Sequence, residues 1–74
     1  MPPKLMLVYD IPKGKNSLLV RTWRQLNKLK AEKYMDSIWF LSDNETNRLQ
    51  LKRIKNIIIE GGGKAELIIG DEVE

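Results

Sequence analysis

Three short segments of this chain are apolar at every position: Leu5 to Tyr9, Ile38 to Leu41, and Leu67 to Ile69. Runs of this length, rich in branched and aromatic side chains and bounded by Pro, Gly, Ser or Asp, read as strands. An antiparallel sheet with one wet face alternates apolar and polar residues along each strand. These runs do not alternate, so both faces of the sheet they form call for cover.

Only two helices are available to supply it. From 17 to about 30, Leu19, Trp23 and Leu26 fall at i, i+4 and i+7, one face of a helix. The loop before it, Pro12-Lys13-Gly14-Lys15-Asn16, is punctuated by Pro and Gly, and Asn16 or Ser17 is expected to cap the helix. Ser42-Asp43-Asn44-Glu45 has the S-x-x-E form of a capping box. The helix it opens is expected to bury Leu51, Ile54 and Ile58 and to stop at Gly61-Gly62-Gly63. Ile57-Ile58-Ile59 is β-branched enough to suit a strand, but the helical period runs into it and helix is expected. Strand one spans roughly 4–10. Glu32-Lys33-Tyr34 and Ile38-Trp39-Phe40-Leu41 flank Met35-Asp36-Ser37 as a short hairpin, and Lys64 to Ile69 forms the last strand. The order β-α-β-β-α-β predicts an α+β fold, one ferredoxin-like domain over 1–74 with two helices on one sheet face. Two helices cannot cover both faces, so a second copy packed sheet to sheet, a homodimer, is expected to cover the other.

Composition supports the need for a partner. At 74 residues the core alone is marginal, and with no Cys and no His the chain has no disulfides, thiolate sites, imidazole bases or imidazole metal ligands. Any metal sits on oxygen, which favours Mg²⁺, Mn²⁺ or Ca²⁺. The net charge of +3 is uneven: residues 1–41 carry +5 and residues 42–74 carry −2, ending in Asp71-Glu72-Val73-Glu74. No apolar run approaches a membrane span and no long apolar region follows Met1-Pro2-Pro3-Lys4, so a cytoplasmic protein is expected.

Asp10 closes the first apolar run before Ile11-Pro12. A carboxylate leaving a sheet is placed to hold a hard cation that orients a water against a phosphodiester, or to close the strand as an Asx-turn. Arg21, Arg24 and Lys28 recur at i, i+3 and i+7 opposite the apolar face of the first helix, with Lys13 and Lys15 just before it. Together these five suit the phosphate backbone of RNA or DNA; the arginine face suits solvent equally. Gly14-Lys15-Asn16-Ser17 is not a phosphate loop, because Asn16 separates Lys from Ser and no Gly stands four residues upstream. Trp23, Trp39 and Phe40 have aliphatic neighbours, which favours packing in a core or dimer interface over base stacking.

Val8-Tyr9-Asp10-Ile11, the helix rich in Arg and Leu, and Ser37-Ile38-Trp39-Phe40 resemble the small CRISPR-associated nuclease family Cas-two. Val20-Arg21-Thr22-Trp23-Arg24-Gln25-Leu26, Ser37 to Leu41 and Gly62-Gly63-Lys64-Ala65 are similar to the amino-terminal region of the chromate-resistance regulator ChrB. The resemblance covers residues 5–69 and rests on short apolar motifs that specify fold better than function. It implies a symmetric dimer of ferredoxin-like subunits associated with nucleic acid. On the Cas-two side it implies a metal-dependent nuclease in which Asp10 and its symmetry mate bind Mg²⁺ or Mn²⁺. On the ChrB side it implies a non-enzymatic regulatory or interaction module, whose regions usually carry a small polar residue in place of the aspartate. The exchanged fifth strand of the Cas-two family would be at most the Gly70–Glu74 tail.

Overall fold

A computed structural model describes residues 3–71, with side chains over 4–70. The elements are β1 (Pro3–Asp10), α1 (Asn16–Lys28), β2 (Glu32–Met35), β3 (Ile38–Ser42), α2 (Glu45–Glu60) and β4 (Lys64–Asp71). The strands form one antiparallel sheet in the order β2-β3-β1-β4. This β-α-β-β-α-β arrangement is compatible with a ferredoxin-like fold.

Strand parity divides the apolar runs between two environments. Leu5, Leu7 and Tyr9 of β1, Trp39 and Leu41 of β3, and Ala65 of β4 point into one core with Leu26, Leu51, Ile54 and Ile58 from the helices. Both helices therefore lie on the same sheet face. The alternate residues, Met6, Val8, Ile38 and Phe40, point the other way and are half-buried, while Ile68 beside them is 46% exposed. Register places Met6 between Phe40 and Ile68, and Val8 between Ile38 and Glu66. Tyr34, from the exposed edge strand β2, meets Phe40 edge to face at 5.5 Å between centroids. No described element covers this second, open face.

Two expected helix starts are corrected. Neither Asn16 nor Ser17 caps α1: the helix begins one residue earlier, the cap position falls on Lys15, and no side chain closes it. The Lys15 amide instead donates to the Pro12 carbonyl at 3.3 Å in the preceding turn. Ser42 does not open α2, because it remains in β3, paired with Lys4 of β1. Extended Asn44 is the cap, its Oδ1 accepting from the Asn47 amide at 2.8 Å, and Asn47 Nδ2 donates to the Ser42 carbonyl at 2.9 Å.

Both helices end in the same motif. After α2, the Gly62 amide donates to the Ile59 carbonyl and the Gly63 amide to the Ile58 carbonyl, with Gly62 at φ +98°. After α1, the Lys30 amide donates to the Asn27 carbonyl and the Ala31 amide to the Leu26 carbonyl, with Lys30 at φ +60°. These are Schellman closures, and the first confirms the glycine stop of α2. The run Ile57-Ile58-Ile59 is helical, with Ile58 fully buried. The hairpin turn is tighter than expected: Met35 belongs to β2 and a register shift falls between Lys33 and Met35. Strand β4 runs on to Asp71, and Glu72 to Glu74 lie outside the described residues.

Candidate functional site

Alternation along β1 carries Asp10 to the open-face side, in line with Met6 and Val8, where the strand leaves the sheet. Its register partner is Lys64. Its carbonyl is held close to the α2–β4 turn: a Cβ on Gly63 would stand 2.9 Å from Asp10 O and 2.7 Å from the Ile58 side chain. Glycine at 63 is thus what lets the turn press against the end of β1. The Asp10 carboxylate is exposed, and among the described residues no hydrogen bond or ion pair engages it, an Asx-turn bond included. No three acidic side chains gather into a metal-binding group among the described residues. A second carboxylate, Glu66 across from Val8, lines the same shallow depression as Asp10 together with Lys64.

Lys13 and Lys15 are exposed in the loop after β1. The Lys15 stem lies over Gly62, so the loop and the α2–β4 turn meet at the same end of the domain as Asp10. Arg21, Arg24 and Lys28 are also exposed, but on the outer side of α1. Arg21 and Arg24 line a shallow depression with Asn16, Ser17, Val20 and Gln25. Lys28 lines a furrow between the helices with Gln25, Leu29, Gln50 and Ile54. The structure thus brings the loop lysines to the Asp10 end. It sets the α1 basic residues on the opposite side of the domain from the open sheet face.

The aromatic residues separate in the same way. Trp39 is 3% exposed and belongs to the core, whereas Phe40 is on the open face. The polar centre among them was not foreseen. Tyr9 Oη accepts from Trp39 Nε1 at 3.0 Å and from Trp23 Nε1 at 3.1 Å, and donates to the Asp36 carbonyl at 2.7 Å. One phenol thereby joins β1, α1, β3 and the hairpin turn. Burial raises its pKa above the ordinary tyrosine value, against the lowering by the two indole donors. Beside it, Lys33 sits 5.5 Å from the Trp23 ring and pairs with Asp36 at 2.9 Å. The hint in the sequence was three aromatics with polar handles on three apolar segments, Tyr9, Trp23 and Trp39, since a buried indole or phenol needs a partner.

Among the described residues no helix is long and apolar enough to cross a membrane. No family model matches the chain, and no curated protein matches it.

Proposed function

We propose that this chain works as a Cas-two-like, sheet-to-sheet homodimer associated with nucleic acid in the cytoplasm. The observation that carries the reading is the open face. Met6, Val8, Ile38, Phe40 and Ile68 form a contiguous apolar surface, and Asp10 stands at its rim. A self-complementary apolar patch of this kind suits an isologous two-fold contact. Such a contact sets each Asp10 beside the interface, where the Asp10 carboxylates of both protomers would come together.

The donor set fits a hard cation: each Asp10 is an exposed carboxylate whose oxygens are engaged by no described side chain. When bound, Mg²⁺ or Mn²⁺ would orient a water and polarise a phosphodiester. The chain's own contribution is to fix the Asp10 backbone through the Gly63 contact and to hold phosphates with Lys13 and Lys15 at that end and with Arg21, Arg24 and Lys28 on α1. One observation favours the second reading, a non-enzymatic ChrB-like interaction dimer. The α1 basic residues and Asp10 lie on opposite sides of the protomer, so a strand held along α1 stays clear of its own carboxylate.

Light scattering with thermal melts tests both. A dimer is expected, with Mg²⁺ or Mn²⁺ raising Tm through linkage and Asp10→Asn abolishing that gain along with any nuclease activity. A dimer whose Tm ignores metal, with Asp10→Asn destabilising, assigns Asp10 to the turn and leaves the interaction module. A monomer in dilute solution overturns the dimeric reading itself.

A further inference from the structure

The two helices carry a charge that neither half of the sequence reveals. α1 holds Arg21, Arg24 and Lys28 and no acidic residue. α2 holds Arg48, Lys52, Arg53 and Lys55, with its acids confined to its two ends, Glu45 and Glu60. The helix layer therefore bears seven basic and two acidic side chains, a net +5, in a chain whose total is +3. Everything outside the helices sums to −2.

Arg48 is committed: its Nη2 donates to Asp43 Oδ2 at 2.7 Å. Lys52 and Arg53 are exposed with no such partner among the described residues. The furrow between the helices has Gln25 and Lys28 on one wall and Gln50 on the other. Helical spacing sets Arg53, three residues beyond Gln50, on the same side of α2. Arg21 and Lys28, seven residues apart, stand about 10 Å apart along α1. Donors thus stand on both walls of the furrow, and Arg21 and Arg24 line a separate depression on the outer side of α1.

The face has charge and amides but no stacking surface. Tyr9, Trp23 and Trp39 are joined within the core side of the domain, and Tyr34 and Phe40 lie on the sheet's open side. Sequence-tolerant binding of single strands depends on aromatic platforms, whereas a duplex is held by its phosphates alone.

We infer that the outer face of the two-helix layer is a docking surface for the phosphodiester backbone of a double-stranded nucleic acid, in which Gln50, Lys52 and Arg53 of α2 join Arg21, Arg24 and Lys28 of α1. This rests on the nucleic-acid reading above and extends it to a second helix and to a duplex. Contacts of this kind fix position without reading bases.

Fluorescence anisotropy with a short labelled DNA duplex of arbitrary sequence, and with one of its strands, tests it between about 50 and about 200 mM salt. Lys52→Ala with Arg53→Ala should weaken duplex binding roughly tenfold and reduce the salt slope by about 2, at an unchanged thermal melt. Arg53→Lys should retain binding, since a point charge still meets a phosphate. Arg21→Ala with Arg24→Ala gives the comparison on α1. Loss there alone, with the α2 variant binding like wild type, overturns this inference and leaves the nucleic-acid reading standing. Tighter binding of the single strand, or binding of anionic phospholipid vesicles without binding of the duplex, overturns it too. If wild type binds neither nucleic acid, both readings fall.

Discussion

The Tyr9 hydroxyl ties β1 to three other places in the chain, accepting from Trp23 and Trp39 and donating to the Asp36 carbonyl. Removing it strands the buried Trp39 indole N–H, while the Trp23 indole, nearer the surface, can turn to water. Tyr9→Phe should therefore destabilise the protein by about 2 kcal/mol, measured by urea denaturation. The same hydroxyl sets an alkaline limit. Its folded pKa lies above the ordinary value near 10, so its contribution is present below that pH and is lost as pH rises through the raised folded value. Stability should decline in that alkaline window, and the Tyr9 part of the decline should be missing in Tyr9→Phe. The packing role of Trp23 and Trp39 is legible from their aliphatic neighbours. The hub is not, because its bonds to Asp36 and Trp39 span 27 and 30 residues and depend on which side of each strand faces inward.

The elements were most legible where a residue type leaves one backbone solution open. Gly61-Gly62-Gly63 marks the end of α2 because Gly62 adopts φ +98°, which glycine enters freely. The equivalent position after α1 is Lys30 at φ +60°, and a lysine announces nothing of the kind. Lys30→Gly relieves that conformation and should stabilise the protein by up to about 1 kcal/mol, read as a rise in Tm. The start of α2 was misread because Ser42, Asp43 and Asn44 can all cap, and sequence does not show that sheet pairing keeps Ser42 in β3. Asn44→Ala should cost about 1 kcal/mol, whereas Ser42→Ala, which leaves the backbone acceptor of Asn47 in place, should cost less in the same melts.

At the scale of the whole molecule, the uninterrupted apolar runs correctly announced a sheet with two greasy faces. The identity of the outward residues waited on register: Trp39 turns to the core, and Phe40 and Ile68 turn outward. Phe40→Asp or Ile68→Asp should convert the proposed dimer into a folded monomer, because the charge would be buried only in the dimer. Size-exclusion chromatography with light scattering reads the mass, and circular dichroism confirms that the helices persist. A variant that stays dimeric would show that this face is not the contact. The basic helix layer was hidden for a different reason. Splitting the chain by position assigns α2 to the acidic half, and only packing beside α1 reunites its cations with those of the first helix.

The central place of β1 has a consequence for how the chain is made. Synthesised first among the strands, β1 is flanked by β3 on one side and β4 on the other, and pairs with β4 at eight consecutive positions from Pro3–Asp71 to Asp10–Lys64. A nascent chain can form both helices and the β2–β3 hairpin from local contacts, but it leaves one edge of β1 unsatisfied until the ribosome has delivered β4. During that interval the open edge of β1 is exposed, a feature that attracts neighbouring chains. Translation speed after α2 thus sets how long that edge of β1 stays unpaired.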